Sequence, residues 1–361
     1  MKILYISAEH VSGTLSLFQA EHRWRGDECR FVTFWHSRWD FPDDICLDLP
    51  LMPDKSWVLL ARKAARLLRG PAHSASPSAT CPYWTPSPPE RALFAWRDRL
   101  LWPKMEAAIQ AHGLDRFDIV HLDGGLDFTR DARFASSMRS RGKHIVCYYH
   151  GSDLRNRGIV PAVDTLAELR LTPEWDLLEL DPRLQYLYLP FETDRYPRRD
   201  YHFHSPVRVC HATRNPYKGT EFVERAMEEL SKKYPVELVL LRGLPHAEAL
   251  RRKQECDIFV DQLTNAGGWG YGMSSVEAFS MGMPVITNIP AKMAAHLGEH
   301  PFVHAGTDTV RDALEDLITH EDKCRALAVA GREWVQRMHD VRSVGDQLYR
   351  YYEAAGWLNR S

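Results

Sequence analysis

Residues 256–288 constrain the fold of this chain most strongly, because they read as strand, glycine-rich loop, helix and strand in one unit. Apolar runs over 256–261 and 285–287 predict the two strands. A helical pattern that ends at Gly282 lies between them, preceded by four glycines, Gly267, Gly268, Gly270 and Gly272. A helix that opens from such a loop directs unpaired N–H groups at a ligand. We therefore expect a phosphate site here; the alternative is that the glycines form only a tight turn and Gly282 only ends the helix.

Residues 269–285, WGYGMSSVEAFSMGMPV, resemble the donor-site signature of retaining GT-B glycosyltransferases of the family 4 type, which use nucleotide-sugars. That family has two glutamates eight residues apart, as Trp269 and Glu277 are here. Glu277 matches the second, and the resemblance implies that it holds the ribose hydroxyls. Trp269 replaces the first, which contacts the donor sugar in the family. The resemblance therefore implies nucleotide binding and leaves the handling of the donor sugar open.

Glu277 has a second interpretation. Ser274 and Glu277 form the S-x-x-E pattern of a capping box, in which the glutamate satisfies only backbone donors. The remaining residues expected to bind the donor are Tyr271, Gly272, Met273, Ser274, Ser275 and Arg242.

Composition limits the other possibilities. A chain of 361 residues is long enough for two domains. The net charge of −2 provides no basic field for nucleic acid. Seven cysteines without a CxxC pair favour a reducing cytoplasm and argue against a disulfide framework or a structural zinc site. The first residues, MKILYISAEH, predict a strand instead of a signal peptide, and no apolar run approaches the ~20 residues of a membrane span.

Strands and helices alternate along the chain, which predicts an α/β protein with parallel sheets and right-handed crossovers. We expect two Rossmann-like domains: residues 1–200, completed by a C-terminal helix at about 341–361, and residues 201–340. The resemblance implies the GT-B arrangement, in which the two domains face each other across a cleft.

Two cations follow the first predicted strand of the second domain. Arg214 and Lys218 lie in the run VCHATRNPYKGTEF, between that strand and a helix. Ligands bind at the carboxyl ends of the strands in such sheets, and two cations there would neutralise a diphosphate leaving group. The resemblance gives both residues this role. The alternative is that they are solvated loop charges.

The first domain has its own candidates after a predicted strand, in VCYYHGSDLRNRG. His150 matches a family histidine that lies beside the reacting anomeric carbon; alternatively, it only hydrogen-bonds the backbone. Asp153 and Arg155 share its loop and are expected on the acceptor side, together with Gly13 and His121. No metal site is expected, because the cation pair makes a metal unnecessary and the His202-x-His204 pair shows no third ligand.

Residues 54–69, DKSWVLLARKAARLLR, predict an amphipathic helix with one basic face. Such a helix lies on an anionic membrane surface, or it packs on its own domain and leaves the basic face solvated. Peripheral membrane contact of a cytoplasmic protein is thus one expectation.

These patterns favour a glycosyltransferase that moves a sugar from a nucleotide-diphosphate donor to a hydroxyl acceptor, a saccharide or a lipid-linked one, in polysaccharide or glycoconjugate synthesis. No cofactor is expected, since the nucleotide-sugar is a substrate and the nucleoside diphosphate a product. Two alternatives stay open: a sugar-nucleotide-binding subunit without catalysis, which Trp269 keeps in view, and a sugar-nucleotide epimerase.

Overall fold

The computed structural model of the chain describes residues 1–52, 83–197, 199–213 and 216–358. It contains two compact units. Unit 1 comprises Met1–Leu187 and Tyr349–Ser361, and unit 2 comprises Tyr188–Leu348. The predicted basic helix at 54–69 and the predicted cation Arg214 lie outside the described residues.

Unit 1 is an α/β unit built on a parallel sheet. Its strands are β1 Lys2–Ser7, β2 Glu28–Thr33, β3 Ile45–Cys46, β4 Ile119–Asp123, β5 His144–Tyr148, β6 Leu169–Thr172 and β7 Gln185–Tyr186. Its described helices are α1 Thr14–Trp24, α2 Pro88–His112, α3 Arg133–Ser140 and α4 Pro161–Asp164. The strand order is β3-β2-β1-β4-β5-β6-β7. The order reverses its direction between β1 and β4, which is where a doubly wound sheet forms a ligand crevice.

Unit 2 repeats the principle with fewer strands: β8 Val207–Ala212, β9 Val236–Leu241, β10 Ile258–Val260, β11 Val285–Thr287 and β12 Val303–His304. Its helices are α5 Thr220–Leu230, α6 His246–Gln254, α7 Met273–Ser280, α8 Ala291–Leu297, α9 Val310–Thr319, α10 Glu321–Met338 and, up to Leu348, α11 Val341–Ala354. The order is β12-β11-β10-β8-β9, with every pair parallel. Its reversal lies between β8 and β10.

The central helix α7 is short and buried. The sequence pattern predicted a helix with its apolar residues on one side only. All residues from Ser275 to Ser280 are buried. Gly282 takes a left-handed φ of 75°, and Met283 N–H donates to Ala278 O at 3.0 Å, so the predicted glycine termination is observed. A Cβ on Gly331 of α10 would lie 2.1 Å from the Phe279 ring, and this glycine therefore allows α10 to pack closely on α7.

The expected α/β alternation is confirmed, with differences in the short elements. The two-residue strand β3, the strand β6 and the helix α8 were not predicted, because runs of this length carry too little periodicity. Among the described residues, none of the helices is both long and apolar enough to cross a membrane.

Candidate functional site

The strand reversal in unit 2 brings together two residues that are far apart in sequence. Lys218 follows β8 and Asp261 follows β10, the strands that flank the reversal. Lys218 Nζ forms an ion pair with Asp261 Oδ1 at 2.5 Å and lies 3.4 Å from Ala212 O. These two acceptors use two of its three N–H groups. The predicted cation is therefore at the carboxyl edge of the sheet, with its charge balanced by a carboxylate that the sequence analysis did not single out.

Asp261 also organises the start of α7. Its Oδ2 accepts hydrogen bonds from Gly272 N–H at 3.1 Å and from Ser275 Oγ at 2.6 Å. Burial alone would raise the pKa of this carboxyl group, but Lys218 and the two donors outweigh it, and the pKa is lowered. Ser275 is thus fully buried and serves Asp261 instead of a ligand. Gly272 is exposed at the N-cap of α7.

Glu277 is buried and held by two basic groups from α6. Its Oε2 lies 2.5 Å from Lys253 Nζ, and its Oε1 lies 3.1 Å from His246 Nε2. Burial works against ionisation here as well, yet Lys253 and His246 lower the pKa of Glu277 to about 2. The carboxylate is therefore charged at any physiological pH, and both of its oxygens are hydrogen-bond acceptors.

Lys253 is only 1% exposed, with its ammonium group 4.7 Å from the centroid of the Phe259 ring. It also lies 3.2 Å from the backbone oxygen of Ser274 and 3.3 Å from its hydroxyl. The sequence analysis missed this lysine, because a run such as RRKQ reads as a solvated basic face.

The capping-box interpretation of Glu277 is wrong. The N-cap of α7 is Gly272, the helix begins at Met273, and no side chain caps it. Ser274 and Glu277 are both inside the helix, and the glutamate pairs with side chains of α6 instead of backbone N–H groups. Ser274 and Met273 are partly exposed in the first turn.

Tyr271 points away from the glycine loop. Its ring stacks on Phe302 at 4.7 Å, and its hydroxyl lies 2.9 Å from His339 Nε2. The predicted role of Tyr271 in donor binding is therefore reduced to support of the loop. Trp269 is partly buried in the same loop. Arg242 is exposed just beyond the end of β9.

A second polar group lies at the strand reversal in unit 1. Ser7 ends β1, Asp123 ends β4, and His150 follows β5. Ser7 Oγ donates to Asp123 Oδ2 at 2.6 Å, and His150 Nε2 lies 2.7 Å from Asp123 Oδ1. Burial would lower the pKa of His150, but Asp123 outweighs burial and raises that pKa to about 9. The ring is thus an imidazolium near neutral pH and is 30% exposed.

The neighbours of His150 serve its loop. Asp153 Oδ2 accepts the backbone N–H of His150 at 3.2 Å. Arg155 forms ion pairs with Glu174 and Asp176, so its guanidinium clamps the loop to the segment after β6 instead of reaching for an acceptor. Gly13, with a left-handed φ of 71°, caps α1 beyond the end of β1.

The assignment of His121 to the acceptor side is wrong. The residue is 1% exposed within β4, stacks on Tyr5 at 4.4 Å and lies 2.6 Å from the hydroxyl of Tyr352 on α11. Burial lowers its pKa well below the ordinary value, so the ring is a neutral core residue. The prediction failed because strands of a doubly wound parallel sheet are covered on both faces, and the sequence does not reveal which way a strand residue points.

One group of metal-ligand types is present in unit 1 although the sequence analysis expected no metal site. His36, Asp43 and Cys46 offer ligand atoms within 4.8 Å of one another. His36 is exposed, and its Nδ1 lies 2.7 Å from Asp43 Oδ2. These contacts form an ordinary polar cluster on the surface near β3.

Comparison with known proteins agrees with this architecture. No protein-family model matches the chain. Similar solved structures include HepE from Anabaena in complex with UDP and glucose, with 14% identity, a TM-score of 0.57, and coverage of 98% of this chain and 100% of that one. Sucrose-phosphate synthase from Thermosynechococcus elongatus gives 14% identity, a TM-score of 0.58 and coverage of 98% and 100%. Trehalose-6-phosphate synthase OtsA gives 12% identity, a TM-score of 0.59, and coverage of 98% of this chain and 99% of that one.

The chain has the GT-B fold. A curated relative is the GDP-mannose-dependent alpha-(1-6)-phosphatidylinositol monomannoside mannosyltransferase of Mycolicibacterium smegmatis, which is 25% identical over 177 residues, or 40% of this chain. The match spans 46% of that protein, which is less than half of its length. In this GT-B chain, Lys218 and Glu277 lie in the same unit, near the start of α7.

Proposed function

We propose that this protein is a glycosyltransferase that moves a sugar from a nucleoside-diphosphate donor to a hydroxyl acceptor, with retention of the anomeric configuration. The acceptor is a saccharide or a lipid-linked one, and the pathway is polysaccharide or glycoconjugate assembly. The protein's cations take the place of a metal ion at the diphosphate.

The observation that carries this proposal is the cluster at the strand reversal of unit 2. Lys218 and the ionised Glu277 are held by ion pairs with Asp261 and Lys253. The N–H of the exposed N-cap Gly272 donates a hydrogen bond to Asp261. A strand reversal followed by a glycine-rich loop and a helix start suits a diphosphate. A buried carboxylate nearby suits a ribose diol, because each of its oxygens accepts a hydrogen bond.

The relatives support the class of donor and leave the base open. HepE structures contain UDP with glucose, or UDP-glucose. The mannosyltransferase is described as dependent on GDP-mannose. A nucleoside diphosphate sugar is common to both descriptions.

In the proposed reaction, the bond between the anomeric carbon and the diphosphate oxygen breaks, and a bond from the acceptor oxygen to that carbon forms. The acceptor hydroxyl passes its proton to the departing diphosphate oxygen, and the nucleoside diphosphate leaves with the bonding electrons. Lys218 and Arg214 balance the charge that develops on the diphosphate. His150, as an imidazolium, donates a hydrogen bond to an oxygen of the substrate.

A thermal-shift screen of nucleoside diphosphates and their sugars tests donor binding, because a ligand that binds only the folded state raises its stability. Release of free nucleoside diphosphate that requires an acceptor supports transfer. Binding without release would identify a sugar-nucleotide-binding subunit, and a changed sugar still attached to nucleotide would identify an epimerase. Proton NMR of the product's anomeric coupling tests retention.

A further inference from the structure

A pocket in unit 1 lies beside the reversal of its strand order and is separate from the His150 group. Its cavity volume is about 70 Å³. Ala8 beyond β1 and Phe34 beyond β2 line one side, and Asp127 and Arg130 line another. Arg97 of α2 also contributes to the lining. This volume admits a group of a few atoms, such as a phosphate or a carboxylate, and not a whole sugar residue.

Two further arginines, Arg97 and Arg157, lie close enough to repel Arg130, and both have carboxylate partners. Arg97 forms an ion pair with Asp98 at 2.6 Å, and Arg157 lies 3.6 Å from Asp153. The carboxylate of Asp98 also accepts the backbone N–H of Arg130 at 2.6 Å. Pairing these groups one to one leaves the guanidinium of Arg130 without an ion-pair partner among the described residues.

The guanidinium of Arg130 is held by aromatic rings. It lies 5.2 Å from the centroid of Trp84 and 5.1 Å from that of Phe94. Its Nη1 is buried and has no hydrogen-bond partner among the residues that the structure describes. Buried polar groups in proteins are almost always paired, with protein, water or ligand. Within the described part of the chain this donor is therefore open to a ligand.

The electrostatics of the pocket are those of a site prepared for an anion. Burial, and then repulsion from Arg157 and Arg97, lowers the pKa of Arg130 to about 9. Asp127 is the acidic residue of the lining, and burial raises its pKa to about 7 although backbone N–H groups oppose this shift. Near neutral pH its carboxyl group thus carries only part of a charge, and an incoming anion meets little opposition.

We propose that this pocket binds an oxyanion of the acceptor, a phosphate or a carboxylate, with the guanidinium of Arg130 as its main donor. The proposal rests on the transferase function proposed above and narrows its acceptor to an anionic one. Guanidinium groups form charge-assisted, often two-fold hydrogen bonds with both oxyanions. An acceptor with a phosphate or a uronic carboxylate would therefore be oriented by Arg130 and the aromatic walls beside it.

The test uses calorimetric titration of the full chain with inorganic phosphate, a hexose phosphate, a hexuronate and an uncharged hexose. Short-chain phospholipid micelles form a further arm, which separates a lipid headgroup from a soluble oxyanion. Binding of at least one oxyanion probe, but not of the uncharged hexose, is expected. Arg130→Gln should weaken that binding by roughly 10- to 150-fold, the equivalent of charge-assisted hydrogen bonds.

Arg133→Gln is the matched control. Arg133 also lies over a tryptophan, 4.7 Å from Trp102, but it has an ion pair with Asp131 and is not part of the pocket lining. It should bind the oxyanion as the wild type does. Arg130→Lys keeps the positive charge without the planar guanidinium group and should show an intermediate loss of oxyanion affinity. This variant provides the test if Arg130→Gln is unstable.

Binding of nucleoside diphosphate is measured on the same samples. Unchanged nucleotide binding with loss of the oxyanion in the Arg130 variants supports the proposal. If the wild type binds nucleotide but none of the oxyanion probes, this proposal alone is overturned. The same holds if Arg130→Gln binds the oxyanion as tightly as the wild type does. Failure to bind any nucleotide counts against the transferase function itself.

Discussion

At each of the two strand reversals an aspartate pairs with a cation and accepts a hydrogen bond from a serine, but the cation differs. In unit 1, Asp123 accepts a hydrogen bond from Ser7 Oγ at 2.6 Å and pairs with His150. In unit 2, Asp261 accepts one from Ser275 Oγ, also at 2.6 Å, and pairs with Lys218. A strand-end aspartate thus fixes a cation at each crevice.

The difference lies in the kind of cation and in how deeply its carboxylate partner is buried. His150 has a pKa of about 9 and is 30% exposed, so it exchanges protons within an accessible pH range. Lys218 sits beside a carboxylate that is 1% exposed. A second ion pair, Lys253 with Glu277, reinforces unit 2. Unit 1 therefore offers a group that changes its charge with pH, and unit 2 offers two ion pairs with buried carboxylates.

The largest expected effect is a loss of stability when the Lys253–Glu277 ion pair of unit 2 is broken. Lys253→Met leaves Glu277 buried without its main partner, and loss of one member of a buried pair costs about 3–5 kcal/mol. Urea unfolding followed by circular dichroism measures the loss. Lys232→Met is the control, because its pair with Glu228 at 3.9 Å is exposed and should be worth at most about 0.5 kcal/mol.

The double variant Lys253→Met with Glu277→Met removes both charges and should recover most of the stability. The pH dependence has a defined sign. Glu277 has a folded pKa of about 2, below its ordinary value of 4.5, so its stabilisation is present above pH 4.5 and is lost as the pH falls toward 2. A stability gap between wild type and Lys253→Met that does not narrow in acid would contradict this.

The next prediction concerns the titratable group of unit 1. His150→Ala should lower turnover by about 10²- to 10³-fold, the usual cost of losing one charge-stabilising donor, and leave nucleotide affinity within a few-fold. His144→Ala is the control, since His144 pairs with Glu168 at the opposite end of β5. Wild-type turnover in His150→Ala would remove the histidine from the mechanism.

Asp123→Asn tests the cause of the raised pKa of His150, because asparagine keeps the shape of the aspartate side chain and removes its charge. The folded pKa of about 9 exceeds the ordinary 6.5, so the His150–Asp123 pair stabilises the protein fully below pH 6.5 and ceases to do so as the pH rises through 9. NMR titration of the imidazole should show a lower pKa in Asp123→Asn. An unchanged value would assign the shift to another group.

Smaller effects on binding affinity should distinguish the residues of unit 2 that bind the nucleoside from those that bind the diphosphate. Glu277→Gln should weaken nucleoside and nucleoside diphosphate alike by about 1.5–3 kcal/mol. Lys218→Ala and Arg214→Ala should weaken only ligands with a diphosphate and should also slow turnover. Calorimetric titration measures both series. Unaltered nucleoside affinity in Glu277→Gln would exclude the ribose contact.

The sequence predicted much of this fold because its signals were local. Buried apolar runs such as β1 and β8 alternate with amphipathic helices such as α5, and alternation alone implies parallel sheets. The glycine loop placed Gly272 and Glu277 near a helix start, and Gly282 marked the helix end. These features depend on residues close in sequence.

The partners of the site residues could not be predicted in the same way. Asp261 and Lys253 reach Lys218 and Glu277 only through folding, over 43 and 24 residues. A lysine in a basic run is usually solvated, and an aspartate after a strand usually only ends it. Burial decides otherwise here, and burial is a property of the fold.

The smallest expected effect concerns Tyr271, which the family resemblance placed at the donor and the structure turns inward. Its hydroxyl donates to His339 Nε2 at 2.9 Å, while His339 Nδ1–H donates to Leu189 O at 2.9 Å. Tyr271→Phe keeps the stacking on Phe302 and removes one hydrogen bond, so stability should fall by about 0.5–1.5 kcal/mol. Nucleotide affinity should stay unchanged, because the ring supports the loop from behind.

The pH profile provides the second readout for this variant. Burial lowers the pKa of His339 to about 4, although the bond to Leu189 opposes that shift. The neutral ring is therefore favoured by folding, and its contribution is complete above pH 6.5 and declines as the pH falls toward 4. An accepted hydrogen bond at Nε2 exists only in the neutral ring, so the stability difference between wild type and Tyr271→Phe should shrink over that range. A large loss of nucleotide affinity in Tyr271→Phe would instead return the ring to the ligand.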